Sequence, residues 1–232
     1  MKFQNVDVMI VTPCYGGIEV ETVQCVQMLY EWSKWYAPSD DKRLPVNNIE
    51  WQFAKATSPA WVRNAAVDQF LASKAKSLLM IDRDHIFNCT YLKVLFEADK
   101  DIIAALATTK IESLQDSDRP IVPLCSREHD GKVAPILQTE INQHIERNGE
   151  VPFEVDFTGM GMILIKRKVF ETVPRPWFAQ PETNYENNPM GVSGEDYYFS
   201  KKARGYGFKT YVHPLCSMLH IGKGYYGMGF RG

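Results

Sequence analysis

The stretch Leu78-Leu79-Met80-Ile81-Asp82-Arg83-Asp84 places two carboxylates directly after a four-residue apolar run. The run predicts a buried β-strand, and side chains two residues apart on a strand point to the same face. Asp82 and Asp84 are therefore expected to converge at the carboxyl end of the strand, where open α/β sheets bind ligands. Two such carboxylates suit Mg²⁺ or Mn²⁺ carrying a phosphate group, although an isolated Asp-x-Asp also fits solvated surface acids. The stretch thus predicts a metal-dependent enzyme that handles a nucleotide-linked substrate.

Composition is that of an ordinary globular protein. The chain has 232 residues, of which 45% are hydrophobic and 23% charged, and its formal net charge is −2. This size suits one large α/β domain or two small ones, and the charge argues against tight binding to a polyanion. The sequence shows neither a segment fit to span a bilayer nor the apolar core of a signal peptide, so a soluble cytoplasmic protein is expected. Five widely spaced cysteines predict reduced thiols rather than disulfides or a zinc ribbon.

The first half of the chain alternates between strand and helix patterns. Short apolar runs predict strands at residues 7–12, 48–54, 78–81 and 101–107. Between them, helical spacing of apolar residues predicts a helix over 18–36, a second that begins at Ser58-Pro59, and a short third near Leu92. This order predicts a mostly parallel central sheet with helices on both faces.

The second half is less regular. Residues 110–155 are rich in polar residues and proline, which predicts a loop and hairpin insertion over the site. Residues 155–165 predict a strand that contains Gly159 and Gly161, where a ligand or another chain approaches closely. Val169 and Phe170 predict a helical turn that ends at the following prolines.

Two further groups of residues carry possible chemistry. Glu195 and Asp196 are expected at a helix N-terminus, where the helix dipole favours an ionised acid able to accept a proton, or where they simply cap the helix. His220 follows a short apolar run and is either a metal ligand or a histidine satisfied by a backbone carbonyl. Lys223, between two glycines, is placed to meet a diphosphate or to remain a solvated residue.

Together these motifs resemble, in order and spacing, the family 2-like nucleotide-sugar glycosyltransferases of bacteria and their phages, which have the GT-A fold. The resemblance covers most of the chain, as a single domain with a nucleotide-binding half (1–109), an acceptor-binding half (110–232) and a small antiparallel element near the acceptor. Its motifs are the first strand ending in Thr12-Pro13-Cys14-Tyr15, the pair Arg63-Asn64, the Asp82-Arg83-Asp84 motif, the segment Phe157–Ile165, Glu195-Asp196 and His220.

The resemblance implies a role for each of these positions. Asp84 and His220 hold Mn²⁺ or Mg²⁺, and Asp82 reaches the metal through water or binds the ribose. The nucleotide of the donor, with a weak preference for uridine diphosphate, meets Thr12, Pro13, Tyr15, Arg63 and Asn64. Gly159, Met160 and Gly161 lie beside the donor sugar. Arg83 departs from the family's pattern, and it either contacts the diphosphate, as Lys223 is placed to do, or weakens the affinity for the metal. The aromatic Trp177 suits an acceptor sugar or belongs to the core. In an inverting reaction Asp196 deprotonates the acceptor hydroxyl, with Glu195 as an acceptor contact or alternative base.

Three other functions stay open from sequence. A sugar nucleotidyltransferase shares the sheet and the metal, but it needs a basic glycine-rich loop, and Pro13-Cys14-Tyr15-Gly16-Gly17 has no Lys or Arg. A glycosyltransferase acting on modified nucleic-acid bases would use basic stretches such as residues 166–168 and 201–204. A non-catalytic carbohydrate-binding protein could share the fold. The expected partners are a nucleotide sugar and an acceptor hydroxyl on a glycan, small molecule or modified base.

Overall fold

The structure is a computed structural model that describes residues 7–14, 17–35, 49–110, 121–180, 194–222 and 225–227. The first part of the chain contains β1 (Val8–Cys14), α1 (Val20–Trp35), β2 (Ile49–Lys55), α2 (Pro59–Ala72), β3 (Ser77–Ile81), β4 (His85–Ile86), α3 (Tyr91–Glu97) and β5 (Ile102–Leu106). The second part contains β6 (Cys125–His129), β7 (Lys132–Pro135), α4 (Gln138–Asn148), β8 (Phe153–Val155), β9 (Phe157–Thr158), β10 (Met162–Lys166), α5 (Arg167–Thr172), α6 (Glu195–Gly205), β11 (Thr210–Ser217), β12 (Leu219–Ile221) and β13 (Tyr225–Tyr226).

A central sheet organises the described residues, with seven strands in the order β2-β1-β3-β10-β5-β11-β8. β1, β2, β3, β5 and β11 run in one direction, and β10 and β8 run against them. Two small antiparallel sheets, β13-β12-β4 and β7-β6-β9, adjoin it. The predicted mostly parallel α/β sheet with a small antiparallel element is therefore confirmed.

Both faces of the central sheet are buried, because its strands are apolar at successive positions. In β3, Leu78 and Met80 pack into one core with α2, α5 and α6, whereas Leu79 and Ile81 pack into a second core with α1 and α3. This two-sided burial explains why the strand is a continuous apolar run rather than an alternating one. No helix among the described residues is long and apolar enough to cross a membrane.

Two details of the second half differ from the sequence expectations. The segment predicted as loop and hairpin does contain the β6–β7 hairpin, but it also contains helix α4, whose Glu140 carboxylate accepts a hydrogen bond from the Leu137 N–H group. The predicted glycine-containing strand is wrong, because β10 begins only at Met162 and both glycines precede it. Gly161 lies against another backbone instead, where its carbonyl oxygen accepts a hydrogen bond from the Asp82 N–H group.

The two predicted halves share the central sheet, because β10 is inserted between β3 and β5. A functional division at residue 109 therefore remains a prediction.

Candidate metal and acid–base site

The site begins where β3 ends. Asp82, Arg83 and Asp84 follow the last residue of β3, and His85 opens β4. β12 pairs antiparallel with β4 and places His220 directly opposite His85. The small sheet of β4, β12 and β13 thus brings His220 close to the carboxyl end of β3, which lies in the middle of the central sheet.

Asp84, His85 and His220 form one cluster. Ligand atoms of these three side chains lie within 4.8 Å of one another, and the two imidazole rings stack with centroids 4.2 Å apart. Oδ1 of Asp84 is 3.3 Å from Nδ1 of His85, and Oδ2 of Asp84 is 3.5 Å from Nε2 of His220. Each carboxylate oxygen therefore faces an imidazole nitrogen.

A backbone carbonyl orients His220. Its Nδ1 lies 2.7 Å from the carbonyl oxygen of Thr108, and since a carbonyl oxygen only accepts, Nδ1 carries the hydrogen. In the neutral ring Nε2 is then a lone pair directed at Asp84. A histidine that donates through one nitrogen and presents the other is the usual arrangement of a metal ligand.

His85 is almost completely buried, at 2% exposure. Neither ring nitrogen makes a hydrogen bond with a described residue, although Nδ1 faces Asp84 as given above. Burial lowers its pKa, so the ring is held neutral. Burying an imidazole whose nitrogens have no hydrogen-bond partner costs free energy unless a ligand binds them. The environment of His85 therefore fits a metal site.

The absence of a side chain at Gly161 makes room for His85. A Cβ added at Gly161 would lie 2.6 Å from Nε2 of His85 and 2.9 Å from Cε of Met218. Gly161, which the sequence predicts to lie beside a sugar, therefore leaves the space that the His85 ring occupies.

A lysine completes the cluster. The Lys110 ammonium contacts Oδ2 of Asp84, the oxygen that also faces His220. Burial alone would raise the pKa of Asp84, but the neighbouring His220, His85 and Lys110 side chains outweigh burial and hold that pKa well below its usual range. Asp84 is thus an anion in a site of limited solvent access.

The donor set fits a divalent transition metal. One carboxylate and two imidazoles offer the oxygen and nitrogen ligands that Mn²⁺ accepts, whereas Mg²⁺ prefers oxygen ligands and bound water. Asp84, His85 and His220 are the residues that could hold such an ion.

Arg63 forms a second cluster beside the first. Its guanidinium donates to Asp82 at 2.9–3.0 Å and to Glu195 at 3.0 Å. Burial would lower the pKa of Arg63, but the two carboxylates outweigh it and raise that pKa. Asp82 therefore faces Arg63 rather than joining the Asp84 cluster, and its role as a metal ligand stays a prediction.

Asp196 is held at the first turn of α6. Its Oδ1 accepts a hydrogen bond from the Tyr197 N–H group at 2.7 Å, and a Cβ at Gly194 would lie 2.3 Å from this oxygen. Burial, followed by the charge of Glu195, raises the pKa of Asp196 to about 6. A carboxylate with this pKa is mostly ionised at neutral pH and a much better proton acceptor than an ordinary aspartate.

The two clusters are within electrostatic reach of each other. Burial lowers the pKa of His85 and raises that of Asp196, and the negative charge of Asp82 pushes both pKa values upward. Arg63 links the same groups by contact, since it pairs with Asp82, two residues before Asp84, and with Glu195, next to Asp196.

Several predicted site residues make contacts within the fold. Asn64 exchanges hydrogen bonds with the backbone of Ala60, Trp177 and Phe178, and this uses both ends of its amide. Met160 and Trp177 are core side chains at 2% and 6% exposure, and the Trp177 indole donates to backbone carbonyls. The ligand contacts proposed for these three residues remain predictions that no direct contact supports.

Residues at the end of β1 show mixed placements. Thr12 and Pro13 are buried within the strand, and the Thr12 hydroxyl accepts a hydrogen bond from the Trp51 indole at 3.3 Å. Arg83 donates a hydrogen bond to the Gly17 carbonyl oxygen at 2.8 Å. Tyr15 and Lys223 lie outside the described residues. Gly159 packs against Leu124, and a Cβ added at Gly159 would lie 3.1 Å from the Leu124 Cβ atom.

Sequence reasoning missed His85 and Lys110. His85 directly follows the acidic motif, and an imidazole next to Asp84 was the available signal. Lys110 had none, because only the folded chain brings it to Asp84.

Comparison with solved structures agrees with this architecture. The chain is similar to the crystal structure of A197 from STIV, with a TM-score of 0.54, 18% sequence identity and coverage of 93% of this chain and 85% of that chain. It is also similar to the crystal structure of GalNAc-T7 with UDP, GalNAc and Mn²⁺, with a TM-score of 0.51, 12% identity and coverage of 94% of this chain but 44% of that chain. No family model and no curated protein matches the sequence. At these identities the likeness concerns the fold alone, and it establishes that this chain has a GT-A-like fold.

Proposed function

We propose that this protein is a metal-dependent glycosyltransferase that moves a sugar from a nucleoside diphosphate to an acceptor hydroxyl. The observation that carries the proposal is the Asp84–His85–His220 cluster at the end of β3, linked through the Arg63 ion pairs with Asp82 and Glu195 to the partly buried acids at the start of α6. A metal site next to a carboxylate with a raised pKa supplies the two functions that glycosyl transfer from a diphosphate needs.

The metal side of the proposal concerns the leaving group. Asp84, His85 and His220 would hold the cation, which when bound neutralises charge on the departing diphosphate. Two imidazole ligands favour Mn²⁺ over Mg²⁺. Arg63 holds Asp82 and Glu195 in place at the edge of this site, where the Asp82 carboxylate would be available to a ribose hydroxyl or to water.

The base side of the proposal concerns the acceptor. Its hydroxyl oxygen forms a bond to the anomeric carbon while the bond from that carbon to the diphosphate breaks, and the bonding electrons leave with the diphosphate. The hydroxyl proton passes to the carboxylate of Asp196, whose pKa near 6 matches a base working near neutral pH. Direct displacement of this kind inverts the configuration at the anomeric carbon.

A uridine diphosphate sugar is the favoured donor. The GalNAc-T7 structure of similar fold contains UDP, GalNAc and Mn²⁺, which supports testing this donor class first.

Product release gives the direct test. We expect Mn²⁺ to activate release of the nucleoside diphosphate from at least one member of a panel of nucleotide sugars, and excess EDTA to abolish it. Turnover that survives EDTA, or a complete panel without metal-dependent release or binding, would contradict the proposal.

A further inference from the structure

A cavity of about 400 Å³ opens beside Asp196. Its walls come from the β6–β7 hairpin, from β9 and from the first turn of α6, so the candidate base reaches it directly. The volume lies near the lower end of the roughly 300–1,000 Å³ of ordinary ligand pockets, which suits a compact molecule or the terminal unit of a larger one.

The cavity walls are mainly apolar. Val133, Pro135 and Phe157 contribute hydrocarbon surface, and the Phe157 and Tyr197 rings stack with centroids 4.3 Å apart. Hydroxyl groups of residues such as Ser126 are interspersed with this surface. A few polar groups within an apolar wall fit a ring that has C–H faces and hydroxyl edges.

Asp196 is the single charged side chain among the described residues that line the cavity. The guanidinium of Arg204 lies behind Phe157, 5.2 Å from its ring centroid, and is paired with Glu128 and Asp156. A phosphate or carboxylate in this cavity would meet the negative charge of Asp196 without a compensating cation from the described walls, which is costly away from water.

The basic stretch at residues 166–168 is also engaged. Arg167 donates to backbone carbonyls at the end of α2, while Lys166 and Lys168 pair with Asp99 and Asp101 respectively. These contacts neutralise or bury cations that a polyanionic acceptor would need.

We infer that the acceptor is a small, uncharged, sugar-like alcohol that places an apolar face against the β6–β7 hairpin and its hydroxyl at Asp196. The inference rests on the proposed transfer reaction and specifies its acceptor class. It excludes phosphorylated sugars, uronates and nucleic-acid bases as the preferred acceptors.

An acceptor panel tests the inference with Mn²⁺ and the donor that shows metal-dependent release. Neutral alkyl hexosides are compared with their 6-phosphates, with the matching uronates and with a single-stranded oligonucleotide that bears hydroxymethylated bases. We expect kcat/KM for the best neutral hexoside to exceed that of every charged acceptor at least tenfold. A charged acceptor or the oligonucleotide used as well as the best neutral hexoside would overturn the inference.

A charge introduced into the cavity wall gives an independent test of the acceptor class. Val133→Lys is expected to shift the ratio of kcat/KM for a hexose 6-phosphate over the neutral hexoside at least tenfold toward the phosphate. Val133→Met, of similar length but without charge, should leave this ratio within twofold of the wild-type ratio. An unchanged ratio in Val133→Lys would place the acceptor elsewhere.

Hydrolysis of the donor by water distinguishes failure of the acceptor inference from failure of the transferase proposal. If the protein hydrolyses the donor with Mn²⁺ but does not prefer neutral acceptors, the acceptor class is wrong and the transferase proposal stands. If the donor is neither bound nor hydrolysed, the transferase proposal fails, and the acceptor class fails with it.

Discussion

At the scale of single residues, the candidate metal site depends on how two imidazoles are oriented. The Thr108 carbonyl sets the tautomer of His220, and the space left by Gly161 sets the position of His85. Neither relation involves an acid of the Asp-x-Asp motif. The motif therefore indicated the place of the site but only one member, Asp84, of the cluster that the structure assembles.

Gly161→Ala tests the position of His85. The added Cβ would displace the imidazole ring, so we expect the affinity for Mn²⁺ to fall roughly tenfold or more, a typical effect of disturbing a group that supports a metal ligand. Calorimetric titration of Mn²⁺ measures this change. Gly205→Ala is the matched control, because a Cβ there meets nothing within 4 Å. Equal Mn²⁺ affinities of the two variants would remove His85 from the site.

Asp196→Asn tests the base. The substitution keeps the shape of the side chain but removes a proton acceptor, so transfer should fall by about 10²–10⁴-fold while donor affinity stays nearly unchanged. Wild-type transfer should rise with pH through about 6 as Asp196 ionises and then level off. Pre-steady-state rates measured between pH 5 and 8 check this profile, and a rate that does not change across the range would contradict the assignment.

The same ionisation affects stability. Because the folded-state pKa of Asp196 lies above its unfolded value of 3.8, its contribution to stability is complete below that value and is lost as pH rises through about 6. Asn has no such ionisation, so at pH 7.5 the variant should gain up to roughly 3 kcal/mol in unfolding free energy relative to wild type, compared with their difference at pH 4. Denaturant unfolding at both pH values measures this double difference.

At the scale of elements, Arg63 joins three parts of the fold. It projects from α2 and pairs with Asp82 after β3 and with Glu195 at the start of α6. Replacing it leaves two carboxylates with limited solvent access and without their cation. The pairing thus couples the position of α6 to the end of β3, where the candidate metal ligands lie.

Arg63→Met tests this coupling. We expect the free energy of unfolding to fall by roughly 3 kcal/mol, as when one partner of a buried ion pair is removed. Arg175→Met is a suitable control, because Arg175 pairs with Asp68 on the surface, where ion pairs contribute less than about 1 kcal/mol. Similar losses in both variants, measured by urea unfolding, would show that the Arg63 pairs are no stronger than a surface contact.

Among the helices and strands, the pattern of apolar residues decided which elements could be predicted from the sequence. The strand at residues 78–81 and the helix that begins at Ser58-Pro59 both follow strong local rules, and Ser58 does accept the hydrogen bond from the Trp61 N–H group as an N-cap. Helix α4 was not predicted, because most of its side chains are polar and Ile141 is its one fully buried residue. The glycines before β10 were misplaced because their contacts, Gly161 with His85 and Gly159 with Leu124, are long-range and have no local signature.

At the scale of the whole molecule, the site is built from distant segments that meet at one edge of the sheet. β12 pairs with β4 and delivers His220, and α6 delivers Asp196, so residues more than 100 positions apart in sequence take part. The order of strands and helices made this meeting predictable in outline. Which side chains face each other was not predictable, since Asp82 and Asp84 follow the same strand but face different partners.

Calorimetric binding of uridine diphosphate, with and without Mn²⁺, tests whether Asp84, His85 and His220 form a metal centre. We expect a single site that requires Mn²⁺ in the wild type and in Asp196→Asn, and that disappears in Asp84→Ala and His220→Ala. Glu97→Ala, which removes an exposed acid at the end of α3, should bind as the wild type does. Binding of equal strength without Mn²⁺, or undiminished binding in Asp84→Ala, would contradict a metal centre at this site.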